Sequence, residues 1–147
     1  MNSTVREVAT LAPKEGTATQ TIDCSSLGGL TEAIQKYFDL MYDCDTSRFD
    51  DVFYETAQLH GYRDGKMVCW PNKMYRDILD KRQSPKSLGA ARADEILLLD
   101  FASTDMAFAK VRVRIATMLF VDYLTWHCIN GKWLITSKGF HLDSDGH

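Results

Sequence analysis

Between Ala107 and Leu142 two runs of β-branched and aromatic residues flank an Asn130-Gly131 pair, and Val111, Val113 and Ile115 alternate there with Lys110, Arg112 and Arg114. Alternation with period two marks a half-buried strand, and Asn-Gly accepts the positive φ angles of a tight hairpin turn. The pattern predicts a hairpin in which Ile129 sits opposite Lys132. Counting outward pairs Cys128 with Trp133, Trp126 with Ile135, Leu124 with Ser137, Asp122 with Gly139 and Phe120 with His141. This register makes a core face of Leu124, Trp126, Trp133 and Ile135. The other face carries Val121, Tyr123, Thr125, His127, Leu134, Thr136, Lys138 and Phe140. It is too apolar to be left in water. A second copy of the chain is the expected cover, giving a symmetric homodimer through Tyr123, Thr125, Leu134 and Phe140.

Upstream the period changes. Leu30, Ile34, Tyr37, Phe38 and Met41 recur at helical spacing and predict a helix from Leu30 to Asp43. A short helix follows from Asp45 or Thr46 to about Phe53. Ala57 to Tyr62 and Met67 to Trp70 are expected strands joined by an Asp64-Gly65 turn, and Pro71 opens a third helix that ends near Lys81. Residues 82–92, with Pro85 and Gly89, form a loop and a candidate lid. Ala93 to Phe101 and Ala107 to Thr117 are further strands. Residues 1–26 lack a period and read as a mobile tail, 27–142 as a single domain, and 143–147 as a C-terminal tail. The class is α+β, with three helices of the N-terminal half packed on one face of a curved antiparallel sheet.

Candidate chemistry gathers at the end of the core face away from the turn. In the counted register Asp122, Ser137 and His141 converge there, and Gly139 clears space beside them. His141 is the candidate catalytic general base or acid, oriented by Asp122, since an imidazole titrates near neutral pH. Tyr37, Met41, Trp70, Ser137 and Trp126 are the candidate pocket lining. A small apolar or aromatic molecule would suit such a cavity. If the aromatic side chains fill it instead, the chain is a non-catalytic homodimeric interaction or ligand-carrier module.

Composition narrows the classes. The chain has 147 residues and a net charge of -3. Its Lys and Arg are scattered, which argues against nucleic acid as a partner. No apolar run approaches the ~20 residues of a membrane span. Cys24, Cys44, Cys69 and Cys128 show no Cys-x-x-Cys spacing, so no metal site is expected, and no motif points to a cofactor. Isolated thiols suit a reducing compartment, and the cytoplasm is the expected location.

The stretch LTEAIQKYFDLMYDCDTSRFDDVFYETAQLHG resembles the opening of the nuclear transport factor 2-like superfamily. The ending FVDYLTWHCINGKWLITSKGFH resembles its SnoaL-like, lumazine-binding branch. Phe120 to Leu124, Gly131 to Trp133 and Lys138 to His141 carry most of the likeness, which covers roughly Leu27 to Leu142. The resemblance implies a cystatin-like cone, usually homodimeric, with a pocket between helices and concave sheet. It spans isomerases, dehydratases, cyclases and non-catalytic domains, so it does not fix an activity. Gly61 stands where the isomerase-like members carry a carboxylate base, which speaks against proton abstraction by that route.

Overall fold

The structure, a computed structural model, describes residues 27–144. The expected N-terminal tail lies outside the described residues. Helix α1 (Leu27–Asp43) buries Leu30, Ile34, Tyr37, Phe38, Leu40 and Met41 along one stripe. A short 3₁₀ helix (Thr46–Asp51) follows, and the Asp45 side chain caps it by accepting from the Ser47 N–H. Strand β1 (Phe53–Arg63) begins earlier than its sequence suggests. Phe53 opens the strand instead of closing a helix. Next come β2 (Lys66–Pro71), helix α2 (Asn72–Lys81), β3 (Glu95–Phe101), β4 (Met106–Ile115), β5 (Met118–Ile129) and β6 (Lys132–Ser144). The last strand therefore runs past Leu142, the expected end of the domain.

The strands form one sheet in the order β2-β1-β6-β5-β4-β3. Its pairs are antiparallel except β1 with β6, which run parallel. The helices and the buried side chains of the sheet share one core, centred on Tyr37, Phe49, Phe53, Leu124, Trp126 and Ile135. Strand β3 lies at an edge, and its Ile-Leu-Leu-Leu run leaves Ile96 and Leu98 exposed. Cys44 and Cys69 are free thiols. Cys128 is disulfide-bonded, so the expectation of isolated thiols throughout does not hold.

The hairpin turns follow their sequence signals where one exists. Asn130 and Gly131 have φ of 52° and 80°, and Asp64 and Gly65 have 52° and 76°. The β4–β5 turn carries no such signal. Ala116 adopts a φ of 59° there, ending a strand that the alternation extends through Thr117.

The largest departure lies inside β6. Ile129 pairs with Lys132, Cys128 with Trp133 and Trp126 with Ile135, as counted from the turn. The register then slips: Thr125 pairs with Ser137, Tyr123 with Gly139, Asp122 with Phe140 and Val121 with His141. Thr136 is the extra residue of a β-bulge. Its hydroxyl lies 2.7 Å from His127 Nδ1 and donates to the Thr125 carbonyl at 3.4 Å. A bulge bends the strand and reverses the facing of every residue beyond it. Lys138 and Phe140 thus turn inward, while Ser137, Gly139 and His141 turn outward.

Candidate functional site

The site lies between α1, α2 and the far half of the β5–β6 hairpin. Alternation along β5 carries Asp122 inward with Phe120 and Leu124, and the bulge carries Lys138 in beside it. Asp122 is 1% exposed and Lys138 4%, and they are the buried charges of the described core. Lys138 Nζ stands 3.8 Å from Asp122 Oδ2. Tyr37, one inward turn below Met41 on α1, donates its hydroxyl to the same carboxylate oxygen at 2.5 Å. Burial, reinforced by the Asp122 charge, pushes the Tyr37 phenol well above its usual range, so it stays protonated as a donor.

The ammonium is held by aromatic rings as well as by charge. Lys138 Nζ donates to the Tyr75 hydroxyl at 3.2 Å, and Tyr75 in turn donates to Met41 Sδ at 3.3 Å. The cation also sits 5.1 Å from the Tyr37 ring centroid and 4.9 Å from that of Tyr75. Trp70 is stacked between Tyr75 and Phe140, with centroids at 6.0 and 5.5 Å. Asp122, Lys138, Tyr75, Trp70 and Phe140 border an open-mouthed cavity of about 50 Å³, completed by Arg63, Arg82, Ile115 and Phe120. That is small beside the roughly 300–1,000 Å³ of drug-sized ligand sites. Asp122 lines the cavity, and its Oδ1 is buried without a hydrogen-bond partner. A buried carboxylate oxygen left in that condition costs free energy unless water or a ligand donates to it.

The sequence-predicted residues separate into two groups. Tyr37, Met41, Trp70 and Asp122 come together at or behind the cavity. His141 and Ser137 do not, because the bulge turns both to the outer face. His141 is exposed there, beside Lys110, Arg112, Tyr123 and Asp143. It lies on the opposite side of the sheet from Asp122, so the two form no acid–base pair. Gly139 is opposite Tyr123 and makes no room beside Asp122. Trp126 is fully buried nearer the turn and does not border the cavity. Of the expected interface, Tyr123 and Thr125 face outward and Tyr123 is 48% exposed, whereas Leu134 is itself buried. Phe140 leaves that face altogether and packs inside on Trp70 and Phe120.

Lys138, Tyr75, Arg63 and Arg82 were not anticipated as site residues. Regular alternation puts Lys138 on the outer face, and no local signal announces the bulge. Tyr75 reads as an ordinary apolar position of a helix. Arg82 opens the 82–92 loop, which is tied to α1 by Lys86 N–H to the Tyr42 carbonyl at 3.0 Å and by Arg92 to Asp39 at 3.0 Å. Gly61 gains a reason too. A Cβ placed on it would lie 2.2 Å from a ring carbon of Phe140. The space that a carboxylate base would need is therefore filled by the ring. Among the described residues no group of three metal-ligating side chains converges, and no described helix is long and apolar enough to cross a membrane.

Comparison with known proteins agrees with this geometry. No functionally curated protein matches the chain. A nuclear transport factor 2-like protein of unknown function from Methylobacillus flagellatus KT is 24% identical. That match covers 80% of this chain and 92% of that one, with a TM-score of 0.70. A similar protein of unknown function from Silicibacter pomeroyi DSS-3 is 21% identical over 79% of this chain and 94% of that one, with a TM-score of 0.67. A ketosteroid isomerase-like protein from Erwinia carotovora atroseptica SCRI1043 has the same fold at 12% identity, covering 80% and 96%, with a TM-score of 0.63. The model of the family described as "Putative lumazine-binding" matches residues 25–141. With its helices laid on a concave sheet and its buried polar cluster inside the cone, the chain belongs to that family and has the nuclear transport factor 2-like fold.

Proposed function

We propose that this protein binds a small molecule in the cone, with Asp122 at the floor and the Trp70–Phe140 stack as the wall. The observation that carries the reading is Asp122 Oδ1, a buried carboxylate oxygen without a donor on a residue that lines the cavity. A hydroxyl or N–H of a ligand would satisfy it. Tyr37 and Lys138 hold the other carboxylate oxygen, fixing the acceptor in place before a ligand arrives. Recognition is assigned here and a reaction is not. The pairing of His141 with Asp122, on which acid–base chemistry rested, is absent, and Phe140 occupies the place of an alternative base beside Gly61. The small cavity volume favours the carrier or sensor form of this reading over a cyclase or dehydratase that must enclose its substrate. The protein as purified from cells should carry, or take up from a screen of small flat compounds, a ligand detected by native mass spectrometry. Asp122→Asn should weaken its retention about tenfold, the scale of one hydrogen bond to a charged group. Retention unchanged in Asp122→Asn and in Trp70→Ala would refute the site.

We further infer that two copies pair through the outer face of β3–β6. Exposed Leu98, Met106 and Tyr123 support this, with half-buried Thr125 on the same face. Sedimentation at micromolar concentration should give twice the chain mass, and Tyr123→Glu should shift it towards monomer.

A further inference from the structure

The charges around the cavity do not balance. Arg63, Arg82 and Lys138 border it, and Asp122 is the acidic residue among its lining. Asp122 is already committed to Lys138 and Tyr37. Arg63 lies with its guanidinium 5.9 Å from the Phe120 ring centroid. Neither Arg63 nor Arg82 forms an ion pair among the described residues, although Arg48, Arg76, Arg92 and Arg112 do. Arg82 Nη1 is buried without a hydrogen-bond partner. Arg63 thus has an aromatic ring beside it and Arg82 the Cys44 thiol, but neither guanidinium meets a carboxylate among the described residues, and a partly desolvated cation favours an anion or a dense set of acceptors.

We propose that the ligand of this site is a small organic anion, a carboxylate on a flat body that also carries a hydroxyl or N–H donor. This inference rests on the binding reading given above. The carboxylate is taken by the guanidinium groups of Arg63 and Arg82, for which planar two-point pairing is the favoured geometry. The donor meets Asp122 Oδ1. The flat body lies against the rings of Trp70 and Phe140 at the mouth. Each structural oddity then has a role: the unpaired carboxylate oxygen, the unpaired guanidinium nitrogen, and an aromatic stack left half-exposed at the opening.

The test uses 4-hydroxybenzoate and its neutral isostere 4-hydroxybenzamide, titrated into the full chain and followed by backbone amide NMR shifts. The acid should bind about tenfold or more tightly than the amide, with shifts centred on Asp122, Lys138 and Trp70. Arg63→Gln and Arg82→Gln should each weaken the acid about tenfold and leave the amide unchanged. Arg63→Lys should recover part of the affinity that Arg63→Gln loses, because it keeps the charge without the planar fork. Amide binding equal to or tighter than acid binding, mapped to the same residues, would overturn the anion assignment and leave the binding reading standing. Acid binding that ignores both arginine variants would mean an adventitious surface anion and would also overturn it. If neither probe moves the cavity residues at millimolar concentration, both readings fall.

Discussion

The inner face of the β5–β6 hairpin is two different environments made by the same two strands. Near the turn, Trp126, Trp133 and Ile135 pack as an apolar core, with Trp133 edge-to-face on Phe101 at 6.0 Å. Beyond Thr136 the same face holds Asp122 and Lys138, with Tyr37 and Tyr75 arranged around them. The first half is stabilised by area removed from water. Its unsatisfied groups are the Trp126 and Trp133 indole nitrogens, which find no acceptor among the described residues. The second half contains two charges that would be costly alone and are tolerable as a pair. One inserted residue separates these halves. The lesson is that a bulge can convert a continuous core into core plus chamber without any change in composition.

Substitutions should therefore cost stability for different reasons at the two ends. Trp133→Ala should have the largest effect, about 3–5 kcal/mol in chemical denaturation, because it removes a large buried aromatic from close packing. A loss under about 1 kcal/mol would contradict the packed character of the turn-proximal half. Asp122→Ala should cost about 3 kcal/mol for another cause, the stranding of the Lys138 charge. The double variant Asp122→Leu with Lys138→Met should recover most of that loss while abolishing the chamber. If the double variant were as unstable as the single one, the charges would not be the source of the cost.

Gly61→Ala comes next, at about 1–3 kcal/mol, the usual range for overpacking. The Phe140 ring that it would strike is stacked on Trp70 and has little freedom to retreat. Phe140→Leu should relieve most of the penalty in a double-mutant cycle, and independent, additive effects would disprove the contact. Tyr37→Phe is the mildest change, about 1 kcal/mol near neutral pH for one hydrogen bond. It should also sharpen the comparison through pH. The folded-state phenol titrates above its unfolded value, so its contribution is complete below about pH 10. Above that pH the unfolded chain ionises first and the contribution falls. The stability gap between wild type and Tyr37→Phe should hence be constant up to about pH 9.5 and shrink beyond it. A gap that widened with pH would mean that the phenol ionises more readily in the folded protein.

The sequence by itself determined the elements and the turn-proximal core. Helical spacing located α1 and its buried stripe, and Asn130-Gly131 fixed the hairpin turn and the pairing as far as Trp126 with Ile135. These signals are local: a 3.6-residue period, a period of two, and residues that accept positive φ. Tyr37, Met41, Trp70 and Asp122 were legible as candidate site residues for the same reason, since each lies on an inward phase that no irregularity disturbs. Tertiary structure alone decided the rest. The bulge at Thr136 coincides with a register shift in the parallel pairing of β6 with β1, between Phe53–Ile135 and Gln58–Ser137, and a partner strand so distant in sequence is not written in its neighbours. That single slip exchanged His141 and Ser137 for Lys138 and Phe140 at the site. Arg63 and Arg82 joined it from a strand end and a loop whose approach only the fold arranges. Faces count forward reliably from a turn until the backbone inserts a residue, and here the site begins where that count fails.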